Sequence, residues 1–132
     1  MFINMTNHPV SKWNKDQVDV ASLGMEVGYQ VIYDFSQVMP QVDPEANTCE
    51  VEDVGDELIQ KLISQVGKLK GTNILVQGEY TLTFYLVLKL TELGAKCFTA
   101  TTKREVVENK MPDGSVKKES IFKFVQFRQY PL

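Results

Sequence analysis

The chain has 132 residues, of which 43% are hydrophobic and 23% charged, values that suit a single globular domain over residues 1–132 and exclude a fibrous or low-complexity chain. Fourteen basic against seventeen acidic residues give a formal charge of −3. That balance argues against broad binding to long nucleic acid and leaves room for a local anion site.

Residues 1–5 form an apolar run that reads as a first strand, stopped at Thr6-Asn7-His8-Pro9 because proline cannot donate to a ladder. The opening MFINMTNHP lacks the basic start and long apolar core of a secretory leader, and no apolar run reaches the ~18 residues that span a bilayer. Cys49 and Cys97 lie far apart in no metal-ligand spacing. Together these features read as a cytoplasmic protein with free thiols and no membrane partner. Ser11 or Asn14 can cap a helix that runs to about Met25, with Trp13, Val18, Val20, Ala21 and Met25 facing inward. Residues 29–35 are a second strand by β-branched and aromatic content. Residues 36–50, with Pro40, Pro44 and Asn47, read as a loop with at most a turn of helix, and Cys49 falls in it.

Residues 51–69 carry Val51, Val54, Leu58, Leu62, Val66 and Leu69 at helical spacing, with acidic residues first and lysines last, as a helix dipole prefers. Residues 73–77 form a third strand, apolar on both sides and therefore central. A helix capped by Thr81 or Thr83 runs to Leu93 and ends at Gly94, and residues 95–101 form a fourth strand. Residues 104–109 and 120–130 flank the turn signal Pro112-Asp113-Gly114 and read as a separate hairpin. Its last strand has Ile121, Phe122, Phe124, Val125 and Phe127 on both faces, which suggests cover by helices or by a second copy.

Alternating strands and helices imply an α/β fold, a Rossmann-like three-layer sandwich with a mostly parallel sheet of order about 2-1-3-4 and a C-terminal β-hairpin. Ligands of such sheets sit beyond the carboxyl ends of the strands, where the order reverses. Three polar clusters meet on that rim: Thr6, Asn7 and His8; Gln77, Gly78, Glu79 and Thr81; Thr101, Thr102, Lys103 and Arg104. Each has a plain alternative. Asn7 can start an Asx turn, Thr81 can be a cap, and Lys103-Arg104 can be a solvated strand end; Trp13 can be core rather than a platform for a base. Hydroxyls, amides and a cation near a helix start suit a phosphate or nucleotide. The chain has no G-x-G-x-x-G, no P-loop and no G-x-S-x-G, and its one histidine has no metal-ligand companion, so neither cofactor nor metal is expected.

The segments TNHPVSKW, VQGEYTLTFYLVLKL, ATTKR and FKFVQFRQY together resemble small stand-alone CRISPR-associated proteins of the CARF (CRISPR-associated Rossmann fold) type from type III systems. The resemblance covers most of the chain and is weakest over residues 36–50. It implies a homodimer that binds a cyclic oligoadenylate second messenger and cleaves it as a metal-independent ring nuclease, which switches off antiviral signalling. It also implies roles: His8 as general acid or base, Lys103 or Arg104 as the cation facing the phosphorane, and Thr6, Asn7, Trp13, Gln77, Gly78, Glu79, Thr81, Thr101 and Thr102 around the ligand. An acidic chain with few cations on the rim departs from the strongest form of that pattern. The alternatives are a sensor that binds the ring without cutting it, and a Rossmann-like domain for an unrelated small ligand.

Overall fold

The computed structural model describes residues 1–24 and 31–131. Its elements are β1 (Phe2–Met5), α1 (Lys15–Asp19), β2 (Ile32–Asp34), α2 (Thr48–Val66), β3 (Asn73–Val76), α3 (Tyr80–Glu92), β4 (Lys96–Lys110) and β5 (Val116–Gln129). One five-stranded sheet has the order β2-β1-β3-β4-β5. β1 pairs in parallel with β2 and β3, and β3 with β4; the longest pairing, β4 with β5, is antiparallel. The sheet is therefore mixed.

It differs from the expected sheet in its second half. The predicted fourth strand and the first strand of the predicted hairpin are one strand, β4. Residues 99–107 hold five β-branched residues and no glycine or proline, so nothing interrupts the extended chain between Thr101 and Arg104. The charges read as a break belong to a two-stranded ribbon exposed to water.

Successive side chains of a strand face opposite ways, so β1 and β3 feed two cores. Ile3, Met5, Ile74 and Val76 pack under α2 and α3 with Leu58, Leu62, Leu86 and Leu90. Phe2 and Leu75 face the other side, where Trp13, Ala21, Phe98 and Phe127 join them. Both long helices thus cover one face, and the short α1 and an aromatic cluster cover the other. A bulge builds that cluster. Thr101 pairs with Gln126 but Thr102 pairs with Phe124, which leaves Val125 as the extra residue. Phe124 and Phe127, three apart, would face opposite sides of a regular strand; the bulge puts them on one side, with ring centroids 4.8 Å apart.

The helix starts follow their caps. The Asn14 side chain accepts from Gln17 N at 2.8 Å, so Asn14 rather than Ser11 caps α1, which continues as a wider turn over Val20–Gly24. Asn47 caps α2 through Glu50 N at 2.9 Å, so the helix starts at Thr48, three residues before the expected Val51, and this brings the exposed Cys49 into the first turn. α2 ends at Val66 rather than Leu69, because Gly67 takes a positive φ of 81°. Gly55 lets α3 approach closely: a Cβ there would lie 2.6 Å from Cδ2 of Tyr85. The Tyr85 hydroxyl donates to Asp56 at 2.6 Å and fastens the two helices together, and that bond pushes its pKa up to about 12. The expected positions of Met25 and of residues 29–30 in the second strand lie outside the described residues. No helix of the described chain is long and apolar enough to cross a membrane.

Candidate functional site

β1 and β3 are adjacent, and their carboxyl ends open on a cleft of about 660 Å³. Its floor is Leu75, Ala100 and the ring of Trp13; Phe122 and Phe124 of β5 form one wall. Thr6, Asn7, His8, Lys12, Asn14 and Gln17 form the opposite wall, and Gln77, Gly78 and Thr102 complete the rim. A smaller cavity of about 260 Å³ lies across the Gln77-Gly78 ridge, against residues 39–42 and α3. Asn7, Gln77 and Gly78 border both.

The segment carrying His8 is held rigidly. The buried Asn4 side chain donates to the His8 carbonyl at 2.9 Å and to Asp34 Oδ1 at 3.0 Å, and accepts from the Thr6 hydroxyl at 2.8 Å. The Trp13 indole N–H donates to the same His8 carbonyl at 3.2 Å, and His8 N donates back to Thr6 Oγ1 at 3.1 Å. Asp34 also accepts from Val10 N and Ser36 N. Partial burial raises the pKa of its carboxyl, but these hydrogen bonds outweigh it and hold the group below its ordinary range. The backbone of residues 6–10 is thereby pinned while the side chains of Asn7 and His8 stay exposed at the mouth of the cleft.

Gln77 is fixed differently. Its Oε1 accepts from Ala100 N at 3.1 Å, tying β3 to β4, so the amide presents its Nε2 donors to the rim. Tyr130 closes the same end by donating to Val76 O at 2.7 Å. Among the described residues no carboxylate lines the larger cavity, whereas Lys12, His8 and several amides do. In a chain of net charge −3 this local excess of donors suits an anionic or nucleotide-like ligand.

The expected site residues divide. Thr6, Asn7, His8, Trp13, Gln77, Gly78 and Thr102 meet at the cleft. Trp13 is 8% exposed, with Phe2 and Phe127 each 6.2 Å away between ring centroids, so it is floor and anchor rather than a free stacking platform. Glu79, not Thr81, caps α3: its carboxylate accepts from Leu82 N at 2.8 Å and Thr81 N at 3.1 Å. It thereby occupies the helix start where a phosphate was expected. Thr81 borders a separate hollow beside Thr48 and Val51. Thr101 donates to Gln126 O at 3.2 Å across the strand pair. Lys103, one residue from Thr102, faces the other side of the ribbon beside Lys123. The Arg104 guanidinium donates to Ser120 Oγ from Nε and Nη2, at 3.1 and 2.9 Å, farther out along the ribbon. The two cations expected to face a phosphate therefore stand outside the cleft.

Lys12 takes their place. It follows Pro9 in a 3-10 turn, with Lys12 N donating to Pro9 O, and this folds the segment back over the cleft. Asn14, Gln17, Phe122 and Phe124 also went unread. The first two lie beyond the strand end that marked the rim, and the phenylalanines reach it only through the bulge. Among the described residues no group of three His, Cys, Asp or Glu side chains is placed to hold a metal ion.

The Leu82 and Thr81 amides hold the Glu79 carboxyl below its ordinary pKa. A depressed folded pKa adds stability that is present above the unfolded value and lost as pH falls through the folded one. The melting-temperature gap between wild type and Glu79→Gln should therefore stay constant from about pH 7 to 5 and close below roughly pH 4.5. A gap that widens in acid contradicts the cap.

The chain matches the Uncharacterized protein MJ1673 family over residues 1–128 and belongs to that family. No curated protein and no solved structure matches it.

Proposed function

We propose that this family member binds a cyclic oligoadenylate in the cleft between the ends of β1 and β3 and opens the ring without a metal ion. The observation that supports this most is the cleft wall, which gathers His8, Lys12 and the Asn7 and Gln77 amides with no carboxylate among the described residues. The sequence resemblance to CARF-type Rossmann-like proteins adds the ligand class. A volume of about 660 Å³ lies within the usual range for a small-molecule site and holds roughly one or two nucleotides, so a second copy would complete the site for a larger ring.

Ring opening asks little chemistry of the protein. A ribose 2′-hydroxyl loses its proton and attacks the adjacent phosphorus; the P–O5′ bond breaks, the 5′-oxygen takes a proton, and a 2′,3′-cyclic phosphate remains. His8 stands at the cleft mouth as the group that takes the first proton and returns one to the leaving oxygen. The Lys12 ammonium and the Gln77 and Asn7 amides favour the charge that develops on the phosphoryl oxygens. Holding the 2′-oxygen in line supplies the largest share.

A second reading, a sensor that holds the ring uncut, is favoured by one observation: Lys103 and Arg104 stand outside the cleft and leave Lys12 as the cation on its wall. Incubation of the protein with cyclic tetra- and hexa-adenylate in EDTA separates them. Linear products support the enzyme, retention of an intact ring supports the sensor, and no binding at micromolar concentration removes both.

Gly78 offers a test of where the ligand binds. A Cβ there meets nothing nearer than Thr83 Oγ1 at 3.9 Å, and its φ is not positive, so a side chain fits the fold. Gly78→Val should melt within about 2 °C of wild type and bind the ring at least about tenfold more weakly. Unchanged affinity would move the ligand elsewhere.

A further inference from the structure

β4 and β5 are far longer than the strands beside them. β3 pairs with β4 only from Lys96 to Phe98, so beyond Thr101 the two strands continue as a free ribbon of about nine residues, roughly 30 Å long. A bare two-stranded ribbon is marginally stable in water and exposes its edges to other chains. This one is also apolar where it meets solvent. The register puts Arg104, Val106, Lys110, Val116 and Phe122 on one face, with Phe122 66% exposed. Lys118 and Glu108 pair on that face at 3.8 Å, which among the described residues leaves Arg104 and Lys110 as cations without a carboxylate ion pair. Residues 102–124 hold six basic and four acidic side chains, a net +2, so the rest of the chain, whose total is −3, carries −5.

A complementary surface exists on the same molecule. On α3, Tyr80, Phe84 and Leu88 form a stripe at helical spacing, Tyr80 91% and Phe84 74% exposed. Beside it, the first thirteen residues of α2 hold Glu50, Glu52, Asp53, Asp56 and Glu57 and no cation. Glu52, Phe84 and Leu88 line one shallow hollow with Lys89, whose ammonium pairs with Glu92 at 3.7 Å, so the apolar stripe meets the acidic start of α2 there. Asn47 and Glu79 border another hollow together, which places the starts of α2 and α3 side by side.

We propose that two copies of this chain exchange their β4–β5 arms, each arm laying its apolar, basic face along the acidic α2–α3 face of the other. An arm about 30 Å long and 10 Å wide covers roughly 300 Å², so both surfaces of two such contacts bury about 1,200 Å², enough for a specific dimer. Two-fold exchange satisfies both surfaces in each copy and closes the assembly, whereas a one-way contact would grow into filaments. The arm face runs out of the cleft wall at Phe122, so the partner's helices would border the mouth of the cleft. The inference shares the homodimer of the functional reading, but its test uses no nucleotide, so its failure leaves ligand binding to be judged separately.

Charge reversal tests it. Wild type should sediment near 30 kDa at micromolar concentration, twice the 15.0 kDa of one chain. Arg104→Glu/Lys110→Glu and Glu52→Lys/Asp53→Lys should each sediment near 15 kDa, with circular dichroism unchanged. An equimolar mixture of the two should return to about 30 kDa, because both contacts of the mixed dimer are again complementary. A monomeric wild type, variants that remain dimers, or a mixture that stays monomeric overturns the exchange. A second readout needs no variant: raising salt from about 0.05 to 1 M should weaken the wild-type dimer at least tenfold, and a salt-insensitive dimer overturns it too.

Discussion

Replacing His8 by alanine is expected to slow cleavage of a bound cyclic oligoadenylate by about 100-fold or more in single turnover, while affinity changes by less than about threefold. Both halves of this expectation come from placement. The imidazole is exposed at the mouth of the cleft, so its removal leaves the Asn4, Trp13 and Thr6 bonds to the residue 8 backbone in place. The loop keeps its shape and the ligand keeps its amide and Lys12 contacts. Only the proton transfer is lost, and a positioned acid or base is worth roughly 10²–10⁴ in rate. Equal rates in wild type and variant would take His8 out of the chemistry. An equal fall in affinity and rate would make it a binding residue.

Asn4→Leu should act the other way, through the fold. Asn4 is fully buried in β1 and its amide joins three groups: the His8 carbonyl, Asp34 and the Thr6 hydroxyl. Leucine keeps the branched shape and opens no cavity, though its methyls are bulkier, while the Thr6 hydroxyl, the His8 carbonyl and Asp34 each lose one bond. A buried polar group left short of partners costs about 1–3 kcal/mol. We expect a loss of about 2–3 kcal/mol by urea denaturation, or roughly 10 °C in melting temperature. Affinity for the ring should fall with it, because residues 6–10 are no longer pinned. A variant as stable as wild type would show that the network does not hold the loop.

Much of this arrangement was readable from local signals. The apolar runs at residues 1–5 and 73–77 became the two central strands, and the polar residues after them, Thr6 to His8 and Gln77-Gly78, became the cleft rim. What escaped reading depends on geometry that one-dimensional patterns do not carry. Nothing in ATTKR separates Thr102, which borders the cleft, from Lys103, which faces away; strand alternation decides it once the register is known. Glu79 is expected around the ligand by the resemblance, and it is spent instead on the first amides of α3. Phe122 and Phe124 lie some 45 residues beyond Gln77 and reach the wall because one extra residue, Val125, changes the facing of the strand. No periodic pattern marks Lys12, because a 3-10 turn after Pro9 is what folds it over the cleft.

The most direct measurement is calorimetric titration of the wild-type protein with cyclic tetra-adenylate in EDTA, on ice so that cleavage is slow. The cleft reading predicts micromolar or tighter binding, one ring per two chains, lost in Gly78→Val while that variant keeps its melting temperature. No heat up to about 100 μM ring, or binding that Gly78→Val leaves unchanged, would contradict it.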